Sequence, residues 1–245
     1  MIEVAGLHKV YGEVPAVQDL SFRVLPGEVV GLVGPNGAGK TTTLHCLAGI
    51  TVPTGGRIRV AGHDLATDPV AAKSALAFVP DEPRLFDYLT VAEHLRFVAR
   101  LYRVPDVARR IPGVLKEMEL EDRHGALPEE LSRGMKQKLA IACALIHDPE
   151  ALLLDEPLTG LDPMGIRRMK ATILDHARRG AAVILSSHLL HLVEEICTRV
   201  LIMRQGRVLA FGTIAEIVAS RPDLAGQRLE DVFLGLVGQG GSEEG

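Results

Sequence analysis

The chain has 245 residues, 47% of them apolar and 24% charged, which excludes disorder as its main state and allows a large core without disulfide staples. Its net charge of -4 and its lack of tryptophan argue against a nucleic-acid partner. Cys46, Cys143 and Cys197 lie far apart in apolar runs and read as small buried hydrophobes of a reducing compartment. The N-terminus carries Glu3 and no long apolar core, so it does not read as a signal peptide. Ile2-Glu3-Val4 and Leu20-Ser21-Phe22-Arg23-Val24 alternate as strands with one solvated face, and Val29 to Val33 reads as a strand covered on both faces. Thr90 and Glu93 form a capping box for a helix through Tyr102. Val104 to Met118, broken by Pro105 and Pro112, and Ser132 to Ile146 continue a helical region without strand signals. Ala151 to Leu154 and Ala181 to Leu185 are two more buried strands. The stretch Ala181 to Val193 is too short to cross a bilayer, which takes about 20 apolar residues. A hairpin turns at Arg204-Gln205-Gly206, and residues 236–245 read as a disordered tail. The fold class is therefore α/β: a mostly parallel sheet with an antiparallel β part and a helical insert at about 84–149.

Gly34-Pro35-Asn36-Gly37-Ala38-Gly39-Lys40-Thr41 matches the phosphate-binding loop pattern in full, after a strand and before a helix with Leu44, Leu47 and Ala48 on one side. Its glycines let successive N–H groups turn toward an anion, and the helix N-terminus adds its own. Lys40 supplies a cation for the β- and γ-phosphates, and Thr41 a hydroxyl for Mg2+. This motif leaves GTPases, kinases and ATPases open. Asn36 is the sole asparagine, so the Asn-Lys-x-Asp that reads guanine is absent. Ala151 to Leu154 ends in Asp155 and Glu156, an arrangement that brings Asp155 to a metal shell and lets Glu156 act on an attacking water.

Leu131-Ser132-Arg133-Gly134-Met135-Lys136-Gln137-Lys138 resembles the signature motif of ABC-type ATPases, in a form frequent among bacterial exporter subunits. The family's order follows. Tyr11 resembles the aromatic that stacks on adenine, Thr159-Gly160-Leu161-Asp162 the loop after the acidic pair, and His188 the switch histidine. Leu229 to Leu234 is similar to exporter ATPase C-termini. The resemblance covers about 2–235 and implies one ATP-binding domain over 1–235 with the P-loop NTPase core. Gly34 to Thr41 together with Thr42 would hold ATP, and Thr41, Asp155 and Asp81 would hold Mg2+. Glu156, His188 and Lys40 would carry catalysis. Ser132 and Gly134 would reach the ATP of a second subunit in an ATP-dependent homodimer or heterodimer.

The implied work is to drive a separate integral membrane permease, as an exporter, from the cytoplasmic face of the cell membrane. Leu85, Phe86, Tyr88 and Leu89 are candidates for its docking surface or for plain core packing. A soluble ABC-type ATPase acting on ribosomes or DNA is a second reading, and a non-hydrolysing nucleotide-binding regulator a third. The single cassette and the short spacing from Lys40 to Ser132 speak against the former; Glu156 and His188 speak against the latter. One departure stands out: Asp81, followed by Glu82, occupies the position where the family usually has glutamine.

Overall fold

Alternating residues turn Ile2, Val4 and Leu7 inward along β1 (Ile2–Tyr11), which pairs antiparallel with β2 (Val14–Val24). The computed structural model describes residues 1–219 and 228–238. Both strands run longer than their alternation predicts, because register shifts beyond Val4, near the left-handed Gly6, break the period. β3 (Val29–Val33) is buried at every residue and feeds α1 (Lys40–Leu47), which buries Leu44 and Leu47 as expected. β4 (Gly55–Val60) and β5 (His63–Asp64) form a hairpin whose turn, Ala61 and Gly62, is left-handed at both positions. α2 (Pro69–Ser74) and β6 (Leu76–Val79) follow.

Between β6 and β7 the described chain is helical. Thr90 and Glu93 close the capping box of α3 (Val91–Leu101), with Thr90 N–H donating to Glu93 Oε2 at 2.8 Å. α4 (Val107–Met118) runs unbroken through Pro112, contrary to the expected interruption. Pro112 lies on the exposed side, and burial of Ile111, Val114, Leu115 and Met118 on the other side outweighs its lost hydrogen bond. Pro105 precedes the helix, which starts after left-handed Asp106. Ser132 caps α5 (Arg133–Leu145), its Oγ accepting from Met135 N–H at 3.3 Å.

β7 (Ala151–Asp155), α6 (Pro163–Arg178), β8 (Ala182–Ser186), α7 (Leu190–Ile196), β9 (Arg199–Arg204), β10 (Arg207–Gly212), α8 (Ile214–Ala219) and α9 (Leu229–Gly238) complete the described chain. The six-stranded sheet has the order β10-β9-β3-β8-β7-β6 and is parallel except for β10. A four-stranded antiparallel sheet, β2-β1-β4-β5, covers it from one side. α9 extends to Gly238, inside the tail expected from 236, because Leu229 and Val232 are buried and Leu236 packs beside them. Residues 239–245 lie outside the described residues.

One apolar cluster joins Val79, Leu154 and Leu185 of the sheet to Leu95, Leu115 and Leu139 of the three helices, so these helices sit directly on the sheet. A second unites the two sheets and α1 through Leu7, Leu20, Leu32, Leu44 and Leu153. Cys143 and Cys197 are free thiols whose pKa burial pushes up to about 12, consistent with packing and not with reactivity. No helix among the described residues is long and apolar enough to cross a membrane.

Glu117 of α4 meets α6 across this packing. His176 Nε2 lies 3.8 Å from its carboxyl, and the polar contact with that imidazole, with smaller contributions from Thr172 and Arg179, holds the carboxyl below the usual glutamate range against the opposing effect of burial. A depressed native value adds stability above the unfolded-state pKa, about 4.3, which is lost as pH falls through the native value. Glu117→Gln should therefore be less stable than wild type at neutral pH, with the gap closing below about pH 4 in acid melts. A gap that does not change with pH would contradict this.

Candidate active site

Four parallel strands, β3, β6, β7 and β8, deliver the chemistry to one edge of the sheet, as open α/β sheets do at their carboxyl ends. After β3 the loop folds back on itself. Ala38 N–H donates to Pro35 O at 3.1 Å, and Lys40 Nζ donates to Gly34 O at 2.7 Å and Pro35 O at 3.1 Å. Gly39 has φ of 100°, and a Cβ there would lie 2.4 Å from Ala16 O; no other residue fits. Gly37 is also left-handed, and Thr41 and Thr42 occupy the first turn of α1. The β9–β10 turn braces the loop: Gly206 N–H donates to Ala38 O at 3.0 Å, while Gly206 O accepts from Gln18 N–H at 2.7 Å.

A cleft of about 720 Å³ collects Asn36, Lys40 and Thr41 from the loop and first turn of α1, Asp81, Glu82 and Arg84 after β6, Asp155 and Glu156 at the end of β7, and Ser186 and His188 at the end of β8. His188 Nδ1 lies 2.9 Å from Glu156 Oε2. Glu156 has φ of 48°, a strained conformation for a side chain, and its backbone N–H donates to Ser186 O at 3.0 Å. Asp155 is 4% exposed, and its carboxylate makes no hydrogen bond or ion pair among the described residues. Burial lowers the pKa of Lys40, against an opposing pull from Glu156 and then Asp155.

Electrostatics limit what this cleft accepts. Four carboxylates, Asp81, Glu82, Asp155 and Glu156, face two fixed cations, Lys40 and Arg84. A bare polyanion is repelled by that set, whereas a polyanion bound with a divalent cation is not. The hard oxygen donors Thr41, Asp155 and Asp81 suit Mg2+.

Ser132 and Gly134 do not line this cleft; Gly134 packs against the Thr159–Leu161 loop, with room for no Cβ beneath Gly160 O. Tyr11 is half exposed at the end of β1, under Lys9 Nζ at 4.8 Å from the ring, and also lies off the cleft. Arg84, His45, Phe78 and Ser186 are lining residues that sequence reasoning did not select. None belongs to a motif; His45 comes from α1, and the approach of β6 and β8 to β7 brings in Phe78, Arg84 and Ser186.

Fold and cleft together define the class of P-loop NTPases. The sequence profile described as "ABC transporter" matches residues 17–159. The "ABC-type transporter ATP-binding protein EcsA" of Bacillus subtilis is 34% identical over 100% of this chain and 99% of its own length. The "Nod factor export ATP-binding protein I" of Paraburkholderia xenovorans is 38% identical over 89% of this chain and 73% of its own. A solved ATP-binding subunit of an ABC transporter superimposes with TM-score 0.92 at 36% identity, covering 96% of this chain and 99% of that one. A dimeric ATP-binding cassette in a post-hydrolysis state, bound to ADP and Pi, gives 0.80 at 25% identity over 87% and 99%. The chain belongs to the ABC transporter family, as an ATP-binding subunit and ATP hydrolase with the ABC cassette fold.

Proposed function

We propose that this chain hydrolyses ATP to drive a separate membrane permease that exports its cargo, docking at the inner face of the cell membrane. The observation that supports this reading most is one cleft holding Lys40, Asp155 and the Glu156–His188 pair at 2.9 Å. The loop N–H groups and Lys40 grip the phosphates of ATP, with Thr42 at the helix start and Tyr11 against the adenine. When bound, Mg2+ would neutralise charge on the phosphates. Thr41 and Asp155 would hold that ion, and Asp81 would supply a further carboxylate. Glu156 takes the proton of the attacking water, and His188 fixes its carboxylate.

A second set of donors completes the grip on the γ-phosphate. Ser132 and Gly134, at the N-terminus of α5 in a second copy or a related cassette, supply them, so ATP closes the dimer and hydrolysis opens it. Turnover per chain should then rise with protein concentration in a phosphate-release assay. A rate per chain independent of concentration would contradict a shared site.

The docking surface for the permease is narrower than the four candidates Leu85, Phe86, Tyr88 and Leu89. Leu85 packs into the core and Leu89 is half-buried, whereas Phe86 and Tyr88 are 56% and 93% exposed; Phe97 and Leu101, four residues apart on α3, are exposed too. Phe86 and Phe97 meet edge to face at 5.3 Å, forming an apolar patch on the helical segment 84–149.

Asp81→Gln tests the metal assignment. Exchanging the carboxylate for an amide should raise the Mg2+ needed for half-maximal hydrolysis by about tenfold or more, the scale on which even outer partners of a metal act. An unchanged Mg2+ requirement would remove Asp81 from the ligand set.

A further inference from the structure

Every residue of β8 is buried, and it reads Ala, Val, Ile, Leu until its last position, Ser186. That serine is fully buried, and its Oγ has no hydrogen-bond partner among the described residues. The next residue makes a contrast. Ser187 Oγ accepts from Leu189 N–H at 3.1 Å, so its hydroxyl is accounted for by the turn into α7. Ser186 has no such local use.

Its register names the missing partner. Ser186 pairs with Asp155 across the parallel β7–β8 ladder, and paired residues of adjacent strands direct their side chains to the same face. Both line the cleft with Lys40 and Thr41. A buried carboxylate and a buried hydroxyl thus stand side by side, neither hydrogen-bonded by the described protein. Such groups persist in a folded chain when a ligand or ordered water satisfies them.

We infer that Ser186 is a positioning residue: its hydroxyl and the Asp155 carboxylate together hold a water in the shell of the Mg2+–nucleotide complex. This rests on the reading of the cleft as an ATP site. The hydroxyl orients the water, and the water orients Asp155 toward the cation.

The test compares wild type, Ser186→Ala and Ser186→Thr as full chains. ADP affinity is measured in EDTA, and Mg2+ is titrated into the ADP complex by calorimetry. Ser186→Ala should bind ADP normally without metal and melt no lower than wild type, since it removes an unpaired hydroxyl. It should need about tenfold more Mg2+ for half-saturation, and Ser186→Thr, which keeps the hydroxyl, should need less Mg2+ than the alanine variant. Half-saturation of Ser186→Ala within twofold of wild type overturns the inference, as does a lowered metal-free melting temperature with an unaltered Mg2+ response. A wild type whose ADP binding ignores Mg2+ overturns the reading of the cleft itself.

Discussion

Glu156→Gln should keep ATP bound, lose turnover and accumulate as a dimer in Mg2+ and ATP. The change preserves shape, so the left-handed backbone at φ of 48° and its hydrogen bond to Ser186 O remain possible. What disappears is the carboxylate that accepts a proton. A positioned general base contributes about a hundred- to ten-thousandfold, so phosphate release should fall by at least that lower factor. The contact at 2.9 Å from His188 survives as a neutral amide bond, weaker than one to a charged group. With hydrolysis blocked, ATP stays between the two chains, and light scattering on a sizing column should report twice the mass of the monomer. A monomer in saturating ATP, or turnover within tenfold of wild type, would contradict the proposed mechanism.

Lys40→Ala acts one step earlier, on nucleotide binding. The Lys40 ammonium is held by two loop carbonyls, Gly34 O and Pro35 O, at the mouth of the phosphate loop. Burial disfavours its charge, and Glu156 and then Asp155 oppose that burial only in part, so the site is costly for a cation. A hydrogen bond to a charged group is worth about 1.5–3 kcal/mol, which is about ten- to a hundredfold in ATP affinity. The alanine variant should bind ATP that much more weakly and hydrolyse none measurably. Its melting temperature without nucleotide should change little, because the site loses a desolvated charge along with its contacts. ATPase activity equal to wild type would remove the basis of the assignment.

The parts of the fold that were legible from residues are those with local causes. The phosphate loop, the capping box at Thr90 and Glu93, the serine cap at Ser132 and the buried strands at 29–33 and 151–155 each declare themselves within a few residues. The Gln205–Gly206 turn also follows from local chemistry, since both positions are left-handed. What escaped depends on packing or distant contacts. Pro112 reads as a helix breaker until the apolar side of α4 finds its seat on the sheet. The β4–β5 hairpin is short and glycine-rich, with no long alternation to declare it. Gln18 and Gly206 support the phosphate loop from opposite ends of the chain, a contact no local pattern encodes. Arg84 and Ser186 enter the cleft only because three strands end side by side. The sequence profile of the family stops at residue 159, so the spatial case for His188 is its bond to Glu156, and Tyr11, which lies before the profile begins, has no such contact.

A crystal structure of the Glu156→Gln chain with Mg2+ and ATP tests the shared catalytic pocket most directly. The expected result is two cassettes about a two-fold axis, each nucleotide over Lys40 of one copy with its γ-phosphate against Ser132 and Gly134 of the other. A nucleotide away from Lys40, or a closed pair whose γ-phosphates face solvent, would contradict it.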